Sequence, residues 1–298
     1  MTHRPAILFR THLHDAPVAA LAARLQAETG MPLIYVVDEA WGPVPLPPGS
    51  ASVRMDPAAL RGLGLALPPR FGWLCGDYGF YLARAAFPEF THFWLVEYDV
   101  HVAAPDLGAF FAPFAEDPGC DLIAGYLFPR DVNWPNTLPM LPFAARVWGT
   151  LFPFLRVSAR AVDHMLQRRR AISALHDAGQ LAAFPNDEAF AATVLMEEGL
   201  QGRDLNDFGS RVYVSEDFRF GAPRSLRQVP ADGRLHHPVM GGLGLFQKAS
   251  QILHVASTLE EAAAMAAHAD AIGEECGAEA AAAFAASVAA AKARLGGG

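Results

Sequence analysis

Glu97 and Asp99 stand two residues apart in the run FWLVEYDVHV, Phe93–Val102. Side chains alternate along a strand, so this spacing predicts both carboxylates on one side and Tyr98 on the other. Two carboxylates gathered at the exit of a buried strand repel each other and lose hydration. A divalent cation offsets both costs, and oxygen ligands suit Mg²⁺ or Mn²⁺ better than zinc. The tripeptide also has a plain structural reading, with one carboxylate capping a turn and the other pairing with an arginine. Position favours the cation, because ligands of open α/β sheets bind at the carboxyl ends of strands.

Three further clusters carry polar chemistry. Asn186-Asp187-Glu188 opens a predicted helix, where free backbone N–H groups and the helix dipole favour acids, so capping alone accounts for them. His236 and His237 precede Pro238. Adjacent imidazoles point in different directions, so one at most joins a given metal, and a solvated loop histidine is the structural alternative. Arg10, Thr11 and His12, with Asp38 and Asp77, gather at one sheet edge if their strands run parallel.

The elements that must position these residues follow from hydrophobic patterning. Ala6–Phe9 is a short apolar strand, Pro17–Thr29 has Val18, Leu21 and Leu25 at helical spacing, and Pro32–Val37 is a second apolar strand ending at Asp38-Glu39. Strand, helix, strand is a βαβ start. Residues 41–70, rich in Pro and Gly, are expected to loop over the sheet. Asp77 is placed as the N-cap of a helix from Tyr78 to Ala86, closed by Pro88, and the strand bearing Glu97 and Asp99 follows. Asp121–Leu127 is a further strand and Pro129–Pro153 an irregular aromatic segment of substrate-binding length. Next come a strand over Phe154–Val157, a helix over 159–170, the acid-headed helix ending at Gly199, and a late strand at Arg211–Val214. The Ala-rich tail from Leu259 puts Phe284, Val288 and Leu295 on one helix face, and the final glycines are expected to fray.

Composition bounds the function. The 298 residues are 52% hydrophobic and 18% charged, a globular balance with room for a large core. A net charge of −8 excludes a general nucleic-acid binder, and the Arg168–Arg170 triplet is read as the solvated face of a helix. Cys75, Cys120 and Cys276 are too scattered for a disulfide framework or a structural zinc site. With no signal-peptide core and no apolar stretch of transmembrane length, a cytoplasmic location is expected, peripheral membrane association remaining compatible.

Taken together, Glu97-Tyr98-Asp99, Pro185-Asn186-Asp187-Glu188 and His236-His237-Pro238 resemble the motifs of GT-A-type glycosyltransferases, the nucleotide-diphospho-sugar transferase superfamily. The resemblance covers about residues 6–240. It implies an α/β fold with a GT-A-like mixed, mostly parallel sheet flanked by helices, residues 1–250 forming the nucleotide-sugar and acceptor domain and 251–298 a helical extension. It further implies Mn²⁺ or Mg²⁺ held by Glu97, Asp99 and His237, a catalytic base at Asp187 or Glu188, and a nucleoside held by Arg10, Thr11, Asp38 and Asp77. The partners would be a nucleotide sugar and a glycan-type acceptor, with Trp134, Trp148 and Phe152 against the acceptor. The chain departs from the family in having Glu at the first metal-motif position and Asp-Glu where Glu-Asp is commoner. A non-catalytic GT-A-like protein that binds a sugar nucleotide or glycan is the alternative. A Rossmann dehydrogenase is disfavoured because Gly62-Leu63-Gly64 has Leu67 where the third glycine belongs. A metallophosphatase would need a Gly-Asn-His-Asp partner to Gly76-Asp77, and a nucleotidyltransferase a Gly-rich, basic first loop in place of Arg10-Thr11-His12.

Overall fold

Continuous apolar runs make strands covered on both faces, and the two strongest runs lie buried within strands in the computed structural model, which describes residues 3–39 and 42–296. In chain order the elements begin with β1 (Pro5–Thr11), α1 (Ala16–Thr29), β2 (Leu33–Val37), β3 (Ser52–Arg54), α2 (Pro57–Gly62), α3 (Phe71–Leu74) and α4 (Tyr78–Ala86). Next are β4 (His92–Glu97), β5 (His101–Val102), α5 (Leu107–Ala115), β6 (Leu122–Pro129), β7 (Trp148–Ser158), α6 (Ala159–Asp177), α7 (Asp187–Glu197) and β8 (Gly202–Asp204). The last third has short strands β9 (Arg224–Ser225), β10 (Leu235–His236) and β11 (Val239–Met240). Helices α8 (Gly242–Val255), α9 (Leu259–Ala266), α10 (Ala269–Cys276) and α11 (Ala278–Gly296) complete it.

Seven strands form one sheet in the order β3-β2-β1-β4-β7-β6-β8. β1 pairs parallel with β2 and β4, β2 with β3, and β6 with β8, while β7 is antiparallel to both β4 and β6. Only β7 runs against the rest, so the sheet is mixed and mostly parallel, in an α/β fold. The parallel block brings the ends of β1, β2 and β4 to one edge, as required for Arg10, Thr11, Asp38 and Glu97 to gather.

The chain divides into two compact units. The first comprises the described residues of Met1–His12, Arg24–Glu97 and Asp106–Val212; the second those of Leu13–Ala23, Tyr98–Pro105 and Tyr213–Gly298. The first holds the large sheet and a core that includes Leu8, Val36, Phe93, Leu95 and Phe190. The second has its own core, with Leu245, Leu253, Ile272 and Phe284 fully or almost fully buried, and Val288 and Leu295 packed against it.

Several expectations need correction. The strand ends at Glu97, and Tyr98-Asp99 is a turn, so strand alternation does not set the side on which Asp99 projects. Residues 41–70 are not all loop: β3 and α2 lie within them, α2 capped by Asp56, whose carboxylate accepts from the N–H groups of Ala58 and Ala59. Residue 41 lies outside the described residues. The irregular aromatic segment stops at residue 147, because β7 starts at Trp148 and carries Pro153 at a break in its register with β6. A proline cannot donate to a ladder, and such breaks are where strands admit it. α6 runs on to Asp177 instead of stopping near 170. Arg211–Val214 is not a strand; the Val212 N–H donates to the Asn206 side chain at 2.8 Å instead of to a ladder. The expected boundary at 250/251 falls inside α8. Gly296 closes α11, and the last two glycines lie outside the described residues.

Candidate active site

α7 is apolar almost all round, with nine of its eleven residues buried from Asp187 through Leu195. A helix of that kind is buried in the core, and here its N-terminus is buried as well. Asn186 caps it, its Oδ1 accepting from the Ala189 N–H at 3.1 Å. The two acids of the first turn are therefore carried out of water, Asp187 to 5% and Glu188 to 6% exposure. Asp187 is tied at both oxygens, accepting from the Gly76 N–H at 2.7 Å and from the Glu188 N–H at 2.8 Å. Glu188 accepts at Oε2 from the amide of Asn136 at 3.2 Å, while its buried Oε1 has no hydrogen-bond partner. Burial first, then repulsion from Asp77, lifts the Asp187 carboxyl to about 7. Burial first, then repulsion from Asp187, lifts Glu188 to about 8. A helix N-terminus favours carboxylate, so here desolvation outweighs the dipole, the hydrogen bonds and the nearby arginines.

Two other elements fix this turn. Arg169 is fully buried and donates to both oxygens of Asp77, at 2.7 and 3.0 Å, and to the Pro185 carbonyl at 2.8 Å. Its guanidinium lies 3.8 Å from the ring centroid of Phe190, so α6 clamps the segment entering α7. Asp77 is also fully buried and accepts from the Tyr81 hydroxyl at 2.6 Å. It occupies the N-cap position of α4, but its side chain makes no cap bond because Arg169 and Tyr81 take it. Asp77 is therefore an internal ion-pair partner and not a group presented to a nucleoside, and Arg169 is not on a solvated helix face. At Gly76 the chain passes close: a Cβ there would lie 2.7 Å from Asp187 Oδ2 and 2.9 Å from an Arg10 nitrogen.

Arg10, at the end of β1, is the cationic centre of the sheet edge. It pairs with Glu97 and donates to the Gly72 carbonyl. Burial opposes its charge, but Glu97, Asp187 and Asp38 more than offset that and hold its pKa above the ordinary arginine value. Asp38 and Thr11 are buried beside it, the Asp38 N–H donating to the Thr11 carbonyl at 2.9 Å. The first unit thus brings together Arg10, Thr11, Asp38, Glu97 and Asp187. Of the aromatics expected to face an acceptor, Phe152 is 3% exposed and packs on Phe80, which makes it core; Trp134 and Trp148 are half-buried at the core's margin.

In the second unit His237 and Asp99 face each other, Nε2 3.5 Å from Asp99 Oδ2, and both are buried. His237 Nδ1 lies 2.8 Å from the Arg219 carbonyl. A carbonyl only accepts, so Nδ1 carries the proton and the Nε2 lone pair is directed at the carboxylate side. An imidazole whose second nitrogen donates to a backbone carbonyl is the usual state of a metal-ligating histidine, and a nitrogen and an oxygen at this separation fit a shared divalent cation. His236 is different. Arg224 donates to its Nδ1 at 3.1 Å, and its Nε2 donates to Asp232 Oδ1 at 2.9 Å. Asp217, Asp232 and His236 have metal-like spacing, yet Arg224 pairs with Asp217 and Arg234 with Asp232, so guanidinium groups already balance those acids. Burial raises the pKa of Asp232, but the bonds from His236 and Arg234 win and hold it at about 2. Asp99 and His237 are the better donor set.

Three residues of this arrangement were not expected from the sequence. Gly76 and Asn136 carry no local signal. Arg169 carries one, because it continues the buried stripe Ala161, Val162, Met165, Ile172 of α6.

No protein-family model matches the sequence, and no curated protein matches it. Among solved structures the chain is similar to a glycosyltransferase involved in the glycosylation of the major capsid of PBCV-1, at 13% identity and a TM-score of 0.36, over 67% of this chain and 81% of that one. It is similar also to mouse xyloside xylosyltransferase 1, at 14% identity and a TM-score of 0.38, over 68% of this chain and 84% of that one. Likenesses this distant carry no functional weight, which lies with the side chains of the site.

Proposed function

We propose that the protein is a glycosyltransferase that moves a sugar from a nucleotide-diphospho-sugar to a hydroxyl of a glycan or other acceptor, assisted by Mn²⁺ or Mg²⁺. The buried Asp187–Glu188 pair carries this reading. A general base works best with a pKa near the working pH and an oxygen that no donor already holds. Glu188 combines a raised pKa with a buried Oε1 that has no partner. Asp187, held at both oxygens, orients the turn and resists a second negative charge beside it. In this scheme Glu188 deprotonates the acceptor hydroxyl. Arg10, with Thr11 and Asp38 beside it, offers polar groups to the donor nucleotide. Asp99 and His237 would hold the divalent ion, which supplies Lewis-acid stabilisation to a leaving diphosphate.

The test is release of nucleoside diphosphate from a panel of sugar nucleotides by the full chain with Mn²⁺. Glu188→Gln should lower turnover by about 10²–10⁴-fold, the usual worth of a general base, while donor binding persists. Asp99→Asn should abolish Mn²⁺-dependent nucleotide binding with the melting temperature unchanged. Full activity in both Asp187→Asn and Glu188→Gln removes the pair from the mechanism. Binding without turnover by the parent identifies a non-catalytic binder instead.

A further inference from the structure

Among the described tryptophans Trp73 alone stands mostly in water, at 63% exposure, whereas Trp94 is buried and Trp134 and Trp148 are half-buried. An indole is large and apolar and is normally well covered, so its place on the fold matters. α3 is a single turn, and its second residue fixes it against the sheet edge of the first unit. Arg10 donates to the Gly72 carbonyl, and a Cβ on Gly72 would collide with the Asp38 carboxylate. The backbone of α3 therefore lies directly on two of the residues offered to the donor nucleotide. Consecutive Cα atoms are about 3.8 Å apart, so the indole is rooted one step from that edge.

Arg70 supplies a second, independent sign. Its φ of 59° lies in the left-handed region, which is strained for a side chain with a Cβ, and such strain gathers at ligand clamps. Its guanidinium lies 5.3 Å from the centroid of the Trp73 ring and forms no ion pair among the described residues. One face of the indole is thus backed by a cation, while most of the side chain stays open to solvent. An open indole takes a flat ring, and the flat ring of a sugar nucleotide is its base. We propose that Trp73 stacks on the nucleobase of the donor, with Arg70 behind the indole as a positioning residue. This assignment rests on the glycosyl-transfer reading and adds an aromatic contact that Arg10, Thr11 and Asp38 cannot make. Every base has a π face, so Trp73 strengthens binding without choosing the base.

Calorimetric titration of the full chain with UDP, GDP, ADP and dTDP, each with Mn²⁺, tests this, and the tightest of the four becomes the probe. Trp73→Leu should weaken that probe by about tenfold or more, the range for losing one base–aromatic stack, with the melting temperature unchanged. Trp73→Phe keeps a ring and should retain most of the affinity. Arg70→Asn tolerates the left-handed region but removes the guanidinium, so it should melt as the parent does and bind the probe more weakly. Parent-like binding by Arg70→Asn removes the positioning role. If Trp73→Leu binds the probe as the parent does, the assignment is wrong and glycosyl transfer still stands; an acceptor sugar on the indole would give that result. Equal losses in Trp73→Leu and Trp73→Phe overturn it too, because one of them keeps a ring to stack. If the parent binds none of the four, the donor reading fails and this assignment falls with it.

Discussion

Glu188 combines a buried oxygen without a partner and a neighbouring acid that repels its charge, and the cost of ionising it gives a measurable sign. The carboxyl pKa values of Asp187 and Glu188 rise on folding from 3.8 and 4.5 to about 7 and about 8. The folded state therefore binds protons more tightly than the unfolded chain between those limits. The pair's contribution to stability is full below the unfolded values and is lost as pH rises through the folded ones. Catalysis runs the other way, because the base form accumulates over the upper part of the same window. We expect the urea midpoint of the parent to fall between about pH 5 and pH 8.5 more than that of the Asp187→Asn/Glu188→Gln double variant, which has nothing to ionise there. Equal losses in parent and variant would show that these acids do not carry the raised values. Turnover by the parent should climb through the same interval.

Elements hold that chemistry in place, and the Arg169–Asp77 pair shows how. α6 supplies Arg169, α4 is headed by Asp77, and the guanidinium also grips the Pro185 carbonyl just before α7. Arg169→Met leaves the Asp77 charge buried and uncompensated, at a cost of about 3–5 kcal/mol. Adding Asp77→Asn removes that charge and should return part of the loss, as when an ion pair gives way to neutral groups. Urea denaturation of the two variants checks both steps, and an equal loss in the double variant would show that the buried charge is not the cause. Parts of this were legible in the sequence. Phe93–Val96 marks a buried strand by its unbroken apolar run, and Asn186 marks a helix start by its side-chain oxygen. The phase of Arg169 on the α6 stripe was legible too, but three adjacent arginines suggested solvent. Its partner was not legible, because Asp77 lies 92 residues away and only folding brings the two together. The start of β7 was hidden by Pro153, a residue that signals a break unless a register shift absorbs it. The turn at Tyr98-Asp99 was hidden because apolar patterning shows that a strand exists and leaves its last residue open.

At the scale of the whole molecule, each unit has its own core, and the chain passes between the units more than once. Leu13–Ala23 and Tyr98–Pro105 belong with the C-terminal third, so no single cut in the sequence separates the two cores. Composition shifts at Leu259 into an Ala-rich stretch, which suggests an appendage. Yet α9, α10 and α11 bury Met265, Ile272 and Phe284 against Leu245 and Leu253 of α8. Alanine-rich helices bring little apolar area per residue, so a core built from them depends on its few large side chains. Phe284 is fully buried there. Phe284→Ala should cost about 3–5 kcal/mol, the range for deleting a buried aromatic. Because that loss falls on one core, hydrogen exchange should accelerate at the amides of α8 and α11 while those of β1 and β4 keep the parent's protection. Uniform acceleration across both sets would mean that the two cores unfold as one cooperative block.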